Sequence, residues 1–134
     1  MKIDPLDNLF SEYIRKRAIQ RVGGCERCLT PKFDIQKDNG DIFPAWKQLQ
    51  CSHFIGRSKR SVRYDDENCI GICGGCHLYL TAHPIEHVEF FKTRLTEEGF
   101  DMLNSRARTP ARYLDKNLLM VYYETKLKEM EVDE

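Results

Sequence analysis

The sequence has no surplus of charge, no long apolar run and no repeat, and each absence narrows what it can be. Its 134 residues carry 21 basic and 21 acidic side chains, so composition alone builds in no general attraction to a polyanion. No stretch approaches the ~18 consecutive apolar residues of a membrane span, and no membrane partner is expected. The opening "MKIDPLDNLF" lacks the charged-then-apolar order of a secretory leader, which makes the cytoplasm the expected location. Without a repeat, a low-complexity tract or a linker, residues 1–134 are expected to form one domain. Hydrophobic residues at 41% and charged residues at 31% suit a folded chain rather than a disordered one.

What is present is cysteine in pairs. Six cysteines occur, Cys25, Cys28, Cys51, Cys69, Cys73 and Cys76. In a reducing compartment such pairs point to metal or redox chemistry before structural disulfides. Cys25-Glu-Arg-Cys28 and Cys73-Gly-Gly-Cys76 are two C-x-x-C turns. Each can aim two thiolates at one tetrahedral ion, and together they complete a closed four-cysteine zinc site. A thioredoxin-like redox pair is the rival, and two pairs make it the poorer fit. Such a zinc stabilises the fold and leaves no open position for catalysis. Gly74 and Gly75 are expected to give the second turn positive backbone dihedrals. Cys51 and Cys69 fall in strand-like segments and read as small core residues.

The spacing of apolar residues predicts a helix over 5–21, where Leu6, Leu9, Phe10, Tyr13 and Ile14 form one stripe. Asp4 is its expected cap, Pro5 its first turn, and Gly23-Gly24 its end. Asn39-Gly40 signals a hairpin or loop. Residues 47–56 and 67–73 read as strands, and a helix is expected from Cys73–Cys76 through "HLYLTA". His83-Pro84 should interrupt it. Residues 84–95 predict an amphipathic helix with Ile85, Val88, Phe91 and Leu95 inward, and a short helix follows Thr96. A last helix is expected with Thr109 as cap, Pro110 in its first turn and Tyr113, Leu114, Asn117, Leu118, Val121 and Tyr122 as its stripe.

Three further residues can carry chemistry. His53 ends a strand, Asn68 opens the next, and His77 directly follows the second knuckle at a helix start. With the double C-x-x-C, this order resembles the HNH (His-Me finger) nucleases. The segments "LDNLFSEYIRKR", "CERC", "CSHFIGRSKRSVRYDDENCIGICGGCH" and "FFKTRLTEEGFDMLNSRA" resemble, more narrowly, the phage NinG/Rap recombination proteins over roughly residues 6–107. The resemblance implies an α+β fold with a small ββα-metal core (about 25–95) bearing the zinc knuckles, flanked by the helix over 5–21 and by helices within 97–130. It implies a metal-dependent endonuclease of phage DNA recombination in a bacterial cytoplasm, acting on branched, single-stranded or duplex DNA.

Phosphodiester hydrolysis needs an activated water and charge neutralisation at phosphate. His53 titrates near working pH and can be the general base; the resemblance gives Asn68 the task of holding that ring. His77 can bind one catalytic Mg²⁺ or Mn²⁺. Many HNH nucleases carry an Asp directly before the base, where this chain has Ser52, a poor ligand for a hard ion. Asp65 and Asp66 are the candidates to fill that gap. Arg57, Lys59, Arg60 and Arg63 form a basic loop for DNA, with Arg57 and Arg63 able to clamp phosphates. Each residue also has a plain structural role available: His53 as a hydrogen-bonded strand histidine, Asn68 as a turn residue, the basic loop as a solvated face. His83 reads as structural and His87 as surface or core. A non-catalytic zinc-stabilised DNA-binding module is the alternative function, and a homodimer through the last helix would suit a two-fold symmetric junction.

Overall fold

A computed structural model describes residues 3–110 and 114–132. Helix α1 spans Pro5–Val22, capped by the Asp4 carboxylate, which accepts from the Leu6 N–H, and ended by Gly23 in the left-handed conformation (φ 70°). Strands β1 (Ile35–Gln36) and β2 (Ile42–Phe43) form a small antiparallel hairpin around Asn39-Gly40, with Gly40 at φ 91°. A 3₁₀ turn over Ala45–Gln48 leads into β3 (Gln50–His53), which pairs antiparallel with β4 (Cys69–Ile72). Helix α2 (Gly74–Ala82) follows β4 directly, then α3 (Pro84–Arg108) and α4 (Lys116–Val132). The fold is α+β, with four helices and two small antiparallel sheets among the described residues.

Alternation along the β3/β4 hairpin divides the core in two. Ile70 and Ile72 face Leu49, Leu80, Phe91 and Phe100, joining the sheet to α2 and α3. Cys69 faces Phe10, Tyr13, Ile14, Tyr64, Tyr123 and Leu127, joining it to α1 and α4. Gly71 lets α1 approach: a Cβ there would lie 2.7 Å from the Ala18 Cβ. Gly71→Ala is therefore expected to destabilise the fold by about 1–3 kcal/mol through overpacking. Denaturant unfolding measures this, and an unchanged midpoint would mean that α1 is free to shift away.

Several elements depart from the expectations. The strands are shorter than 47–56 and 67–73, because 3₁₀ turns occupy Ala45–Gln48 and Asp66–Asn68. Thr96 does divide α3, at φ 69°, and its hydroxyl accepts from the Gly99 N–H, restarting the helix as a cap would. Ile85 is not inward but 80% exposed, since the first turn of α3 is solvated; Phe91, Phe100 and Leu103 are the buried positions. Thr109 ends α3 rather than capping α4, which begins at Lys116 with the Asp115 carboxylate accepting from the Leu118 N–H. Pro110 thus precedes α4, and Tyr113 lies outside the described residues. The inward face of α4 carries Tyr123 and Leu127, while Leu118 and Val121 are 65% and 59% exposed and Tyr122 is exposed too. Consecutive apolar residues over 118–123 leave periodicity unable to choose a phase; the Tyr123 hydroxyl, donating to the Tyr64 carbonyl, fixes it.

Candidate metal centre and active site

The first knuckle is a turn closed by local backbone contacts. Gly24 faces the Thr30 carbonyl so closely that a Cβ would stand 2.1 Å from its oxygen. The Cys25 carbonyl accepts from the Leu29 N–H at 3.0 Å, with Leu29 at φ 62°. Glu26 then stitches the knuckle to β4: its N–H donates to the Gly71 carbonyl, and its carboxylate accepts from the Gly71 N–H and from Arg94, both at 2.6 Å. The stitch carries Cys25 to Cys73, whose N–H donates to the Cys25 sulfur.

The second pair sits on the first turn of α2, with Cys73 as its N-cap. Gly74 and Gly75 are accordingly helical, not in the positive-φ region expected of them. The helix N-terminus supplies the reason, since its free N–H groups and dipole favour nearby thiolates. The sulfurs of Cys25, Cys28, Cys73 and Cys76 all lie within 4.8 Å of one another, with Cys28 and Cys73 at 3.9 Å. A tetrahedral zinc with bonds near 2.3 Å needs sulfurs about 3.8 Å apart. The four cysteines can hold a metal ion such as zinc. Hydrogen bonding from Thr30 draws the Cys28 thiol down to about 6, while burial pushes Cys76 up to about 12 in spite of the Arg27 guanidinium on its sulfur.

His53 lies over the opposite core. Alternation puts it on one face of β3 with Cys51, facing Phe10 of α1 with ring centroids 5.9 Å apart. Its Nε2 is 2.9 Å from the Arg63 carbonyl. That oxygen can only accept, so Nε2 carries the proton and Nδ1 keeps a lone pair. Burial, together with the cationic Arg57 and Arg63, holds its pKa below the usual 6.5, although the Arg63 carbonyl acts the other way. A neutral imidazole of fixed tautomer opens on a cleft of about 190 Å³ between Asp7, Ser11 and Arg57.

Asn68 does not bond the His53 ring, as was expected of it. Its fully buried amide clips the loop over 54–63: Oδ1 accepts from the Ile55 N–H, and Nδ2 donates to the Ile55 and Val62 carbonyls. The clipped loop in turn sets the Arg63 carbonyl against the imidazole. Asn68 therefore positions the ring through the backbone.

His77 is brought elsewhere. Its Nδ1 donates to Gln50 Oε1 at 2.5 Å, which leaves Nε2 as the nitrogen free to ligate. Gln50 and Ser52 share the β3 face opposite to His53, so the two histidines flank the hairpin instead of sharing one coordination sphere. Ser52 is 1% exposed and offers nothing to an ion. Asp65 and Asp66 do not complete a site at His77. The Asp65 carboxylate is bonded to Arg106 at 2.6 Å and caps its own 3₁₀ turn, and Asp66 faces Arg17 at 3.9 Å. Among the described residues, His77 belongs to no group of three or more histidine, cysteine or acidic ligands. His83 stacks on Tyr79 and bonds its carbonyl, a structural role, and His87 is half-buried against Phe54 and Phe91.

The basic loop divides in the same way. Arg63 is bidentate to Asp7 of α1 (2.6 and 3.1 Å), so it anchors the loop where a phosphate clamp was expected. Burial acts to raise the Asp7 pKa, but the bonds from Arg63 and Tyr64 and the nearby arginine charges leave it lowered. Arg57 also meets Asp7, at 3.0 Å, and stays largely exposed. Lys59 and Arg60 are exposed and line a second cleft of about 390 Å³ with Arg108. Sequence reasoning passed over Asp7 and Glu26, since each acts on a partner more than forty residues away. No helix of the described residues is long and apolar enough to cross a membrane. Neither a family model, nor a characterised protein, nor a solved structure matches the chain.

Proposed function

We propose that the protein is a metal-dependent DNA endonuclease of the HNH (His-Me finger) type, related to the NinG/Rap recombination proteins. In it, β3, β4 and α2 are the ββα core. The observation that carries this is the His53 imidazole: neutral at working pH, fixed in one tautomer by the Arg63 carbonyl, and open to a cleft edged by Arg57. Those are the properties of a general base. His53 takes the proton of the attacking water at Nδ1. Arg63 and Asn68 hold the ring, and Arg57 draws a phosphate oxygen toward the cleft.

His77 is the side chain that would hold the single Mg²⁺ or Mn²⁺. It brings one imidazole nitrogen and no carboxylate, so water and substrate phosphate would have to complete the shell. When bound, such an ion would polarise a phosphate on the α2 side of the hairpin, across β3 from the His53 cleft. This sparse donor set, with Ser52 buried, is also what favours the alternative of a zinc-stabilised module that binds DNA without cutting it. The two are separated by incubating labelled DNA with the protein and Mg²⁺ or Mn²⁺, where the module binds and leaves the strands intact.

Branched or single-strand-containing recombination DNA is the proposed substrate, and a phage protein in a bacterial cytoplasm the proposed setting. A homodimer would place two sites on a two-fold junction, and the exposed Leu118, Val121 and Tyr122 of α4 offer it an apolar surface. Lys59 and Arg60 have no acidic partner among the described residues. The double variant Lys59→Ala/Arg60→Ala is expected to weaken DNA binding and to flatten its salt dependence. The slope of log affinity against log salt should fall by about 0.9 for each phosphate the variant no longer neutralises. An unchanged slope in a fluorescence-anisotropy titration would place this loop away from DNA.

A further inference from the structure

Cys51 and Cys69 were expected to be small core residues, yet they surround His53. Alternation places Cys51 beside His53 on β3, and the register sets Cys69 directly across from His53 on β4. Gly71, across from Cys51, adds no side chain between them. The two sulfurs and one ring nitrogen lie within 4.8 Å of one another. A tetrahedral zinc asks for sulfurs about 3.8 Å apart, so the group needs to contract by at most about 1 Å. Burial raises the pKa of the Cys69 thiol, and the Arg17 guanidinium opposes that rise. The Arg15 guanidinium stands near Cys51, as Arg17 does near Cys69. The tautomer set by Arg63 leaves the imidazole a lone pair to give. Cys69 is fully buried, but Cys51 and His53 line the cleft beside α1, which provides both an entry path and room for a fourth ligand.

We propose that Cys51, His53 and Cys69 form a second metal site, separate from the four-cysteine centre, for one thiophilic divalent ion with zinc as its first candidate. The site is open, with three protein ligands and a position left toward the cleft, where the four-cysteine centre is closed. Its consequence rests on the nuclease assignment above. An ion there takes the lone pair with which His53 would accept a proton, so zinc at this site switches cleavage off. The control is competitive, because proton and ion claim the same lone pair of one ring nitrogen.

Zinc content at equilibrium with buffered free zinc, under reductant, tests the site on the whole chain. Two zinc ions per chain are expected for the native protein and one for Cys51→Ala, the remaining ion showing that the four-cysteine centre and the fold are intact. Cobalt added to one-zinc protein reports independently. Native protein should develop sulfur-to-cobalt charge transfer with tetrahedral visible bands, and His53→Ala should alter those bands. Saturation at one zinc with no cobalt thiolate absorption in native protein would overturn the site, whatever the variants do. Zinc that fills the second site should lower cleavage at least tenfold in native protein and much less in Cys51→Ala. Two zinc ions without any cleavage would keep the site and sink the nuclease; cleavage with a single zinc would do the reverse.

Discussion

If the four cysteines hold the zinc proposed for them, Cys73→Ser is expected to lose it and to unfold the chain around it. The four cysteines come from a turn at 25–28 and from the start of α2. Besides such an ion, these pieces are held together by Glu26, by Arg27 on the Cys76 sulfur and the Tyr79 ring, and by the Cys73 N–H on the Cys25 sulfur. Closed zinc sites contribute about 10–16 kcal/mol of apparent binding free energy at pH 7. A domain's whole net stability is about 5–15 kcal/mol. Removing one of four thiolates should therefore cost a large part of the fold. Cys73 is the N-cap of α2, but its side chain makes no capping bond and serine is a good N-cap, so the variant acts through the metal and not through the helix end. Metal analysis and thermal unfolding of the purified variant check this. A strong chelator on native protein should reproduce it, and normal zinc content with an unchanged melting curve would remove the four-cysteine assignment.

His53→Ala is expected to lower cleavage by about 10²–10⁴-fold, the range for loss of a positioned general base. Zinc in the four-cysteine centre should stay normal, because His53 lies on the opposite hairpin face from His77 and α2. The pH dependence gives a second readout. The base works only when neutral, and burial and the neighbouring arginines hold its pKa below 6.5. The rate should be flat from neutral pH upward and fall about tenfold per unit once pH drops through that lowered value. A rate that rises toward acid, or an inflection above about 7, would point to another group. Asn68→Ala should shift the same inflection and lower the rate, since it releases the loop that presents the Arg63 carbonyl.

Local chemistry was legible in the sequence wherever it was decided locally. Asp4 and Gly23 bound α1 because capping is settled within four residues. Asn39-Gly40 marked the first hairpin for the same reason. The four cysteines declared themselves by spacing, even though Cys28 and Cys73 are 45 residues apart, because C-x-x-C turns have few other uses. The helix-start position of His77 followed from the knuckle before it.

What was not legible depends on which surfaces meet. The phase of α4 is set by one hydroxyl reaching Tyr64, and the run over 118–123 contains nothing to predict it. Asp65 and Asp66 looked free to bind an ion until Arg106 and Arg17 came to them from other helices. Arg63 looked like a phosphate clamp until α1 brought Asp7 beside it. The Asn68 amide serves the loop backbone rather than the ring, a distinction of geometry that no motif encodes. Alternation puts Cys51 and His53 on one face of β3, but only the pairing register sets Cys69 across from His53, and a strand cysteine reads first as packing.

The most direct measurement is strand cleavage. Labelled linear, nicked, single-stranded and four-way-junction DNA would be incubated with native protein and with His53→Ala, in Mg²⁺ or Mn²⁺ and in chelator weak enough to spare the structural zinc. The expected result is metal-dependent scission, strongest on branched or single-strand-containing DNA and lost in His53→Ala. Binding of the same DNA with every strand intact, equal for the two proteins, would contradict the nuclease and leave a zinc-stabilised DNA-binding module.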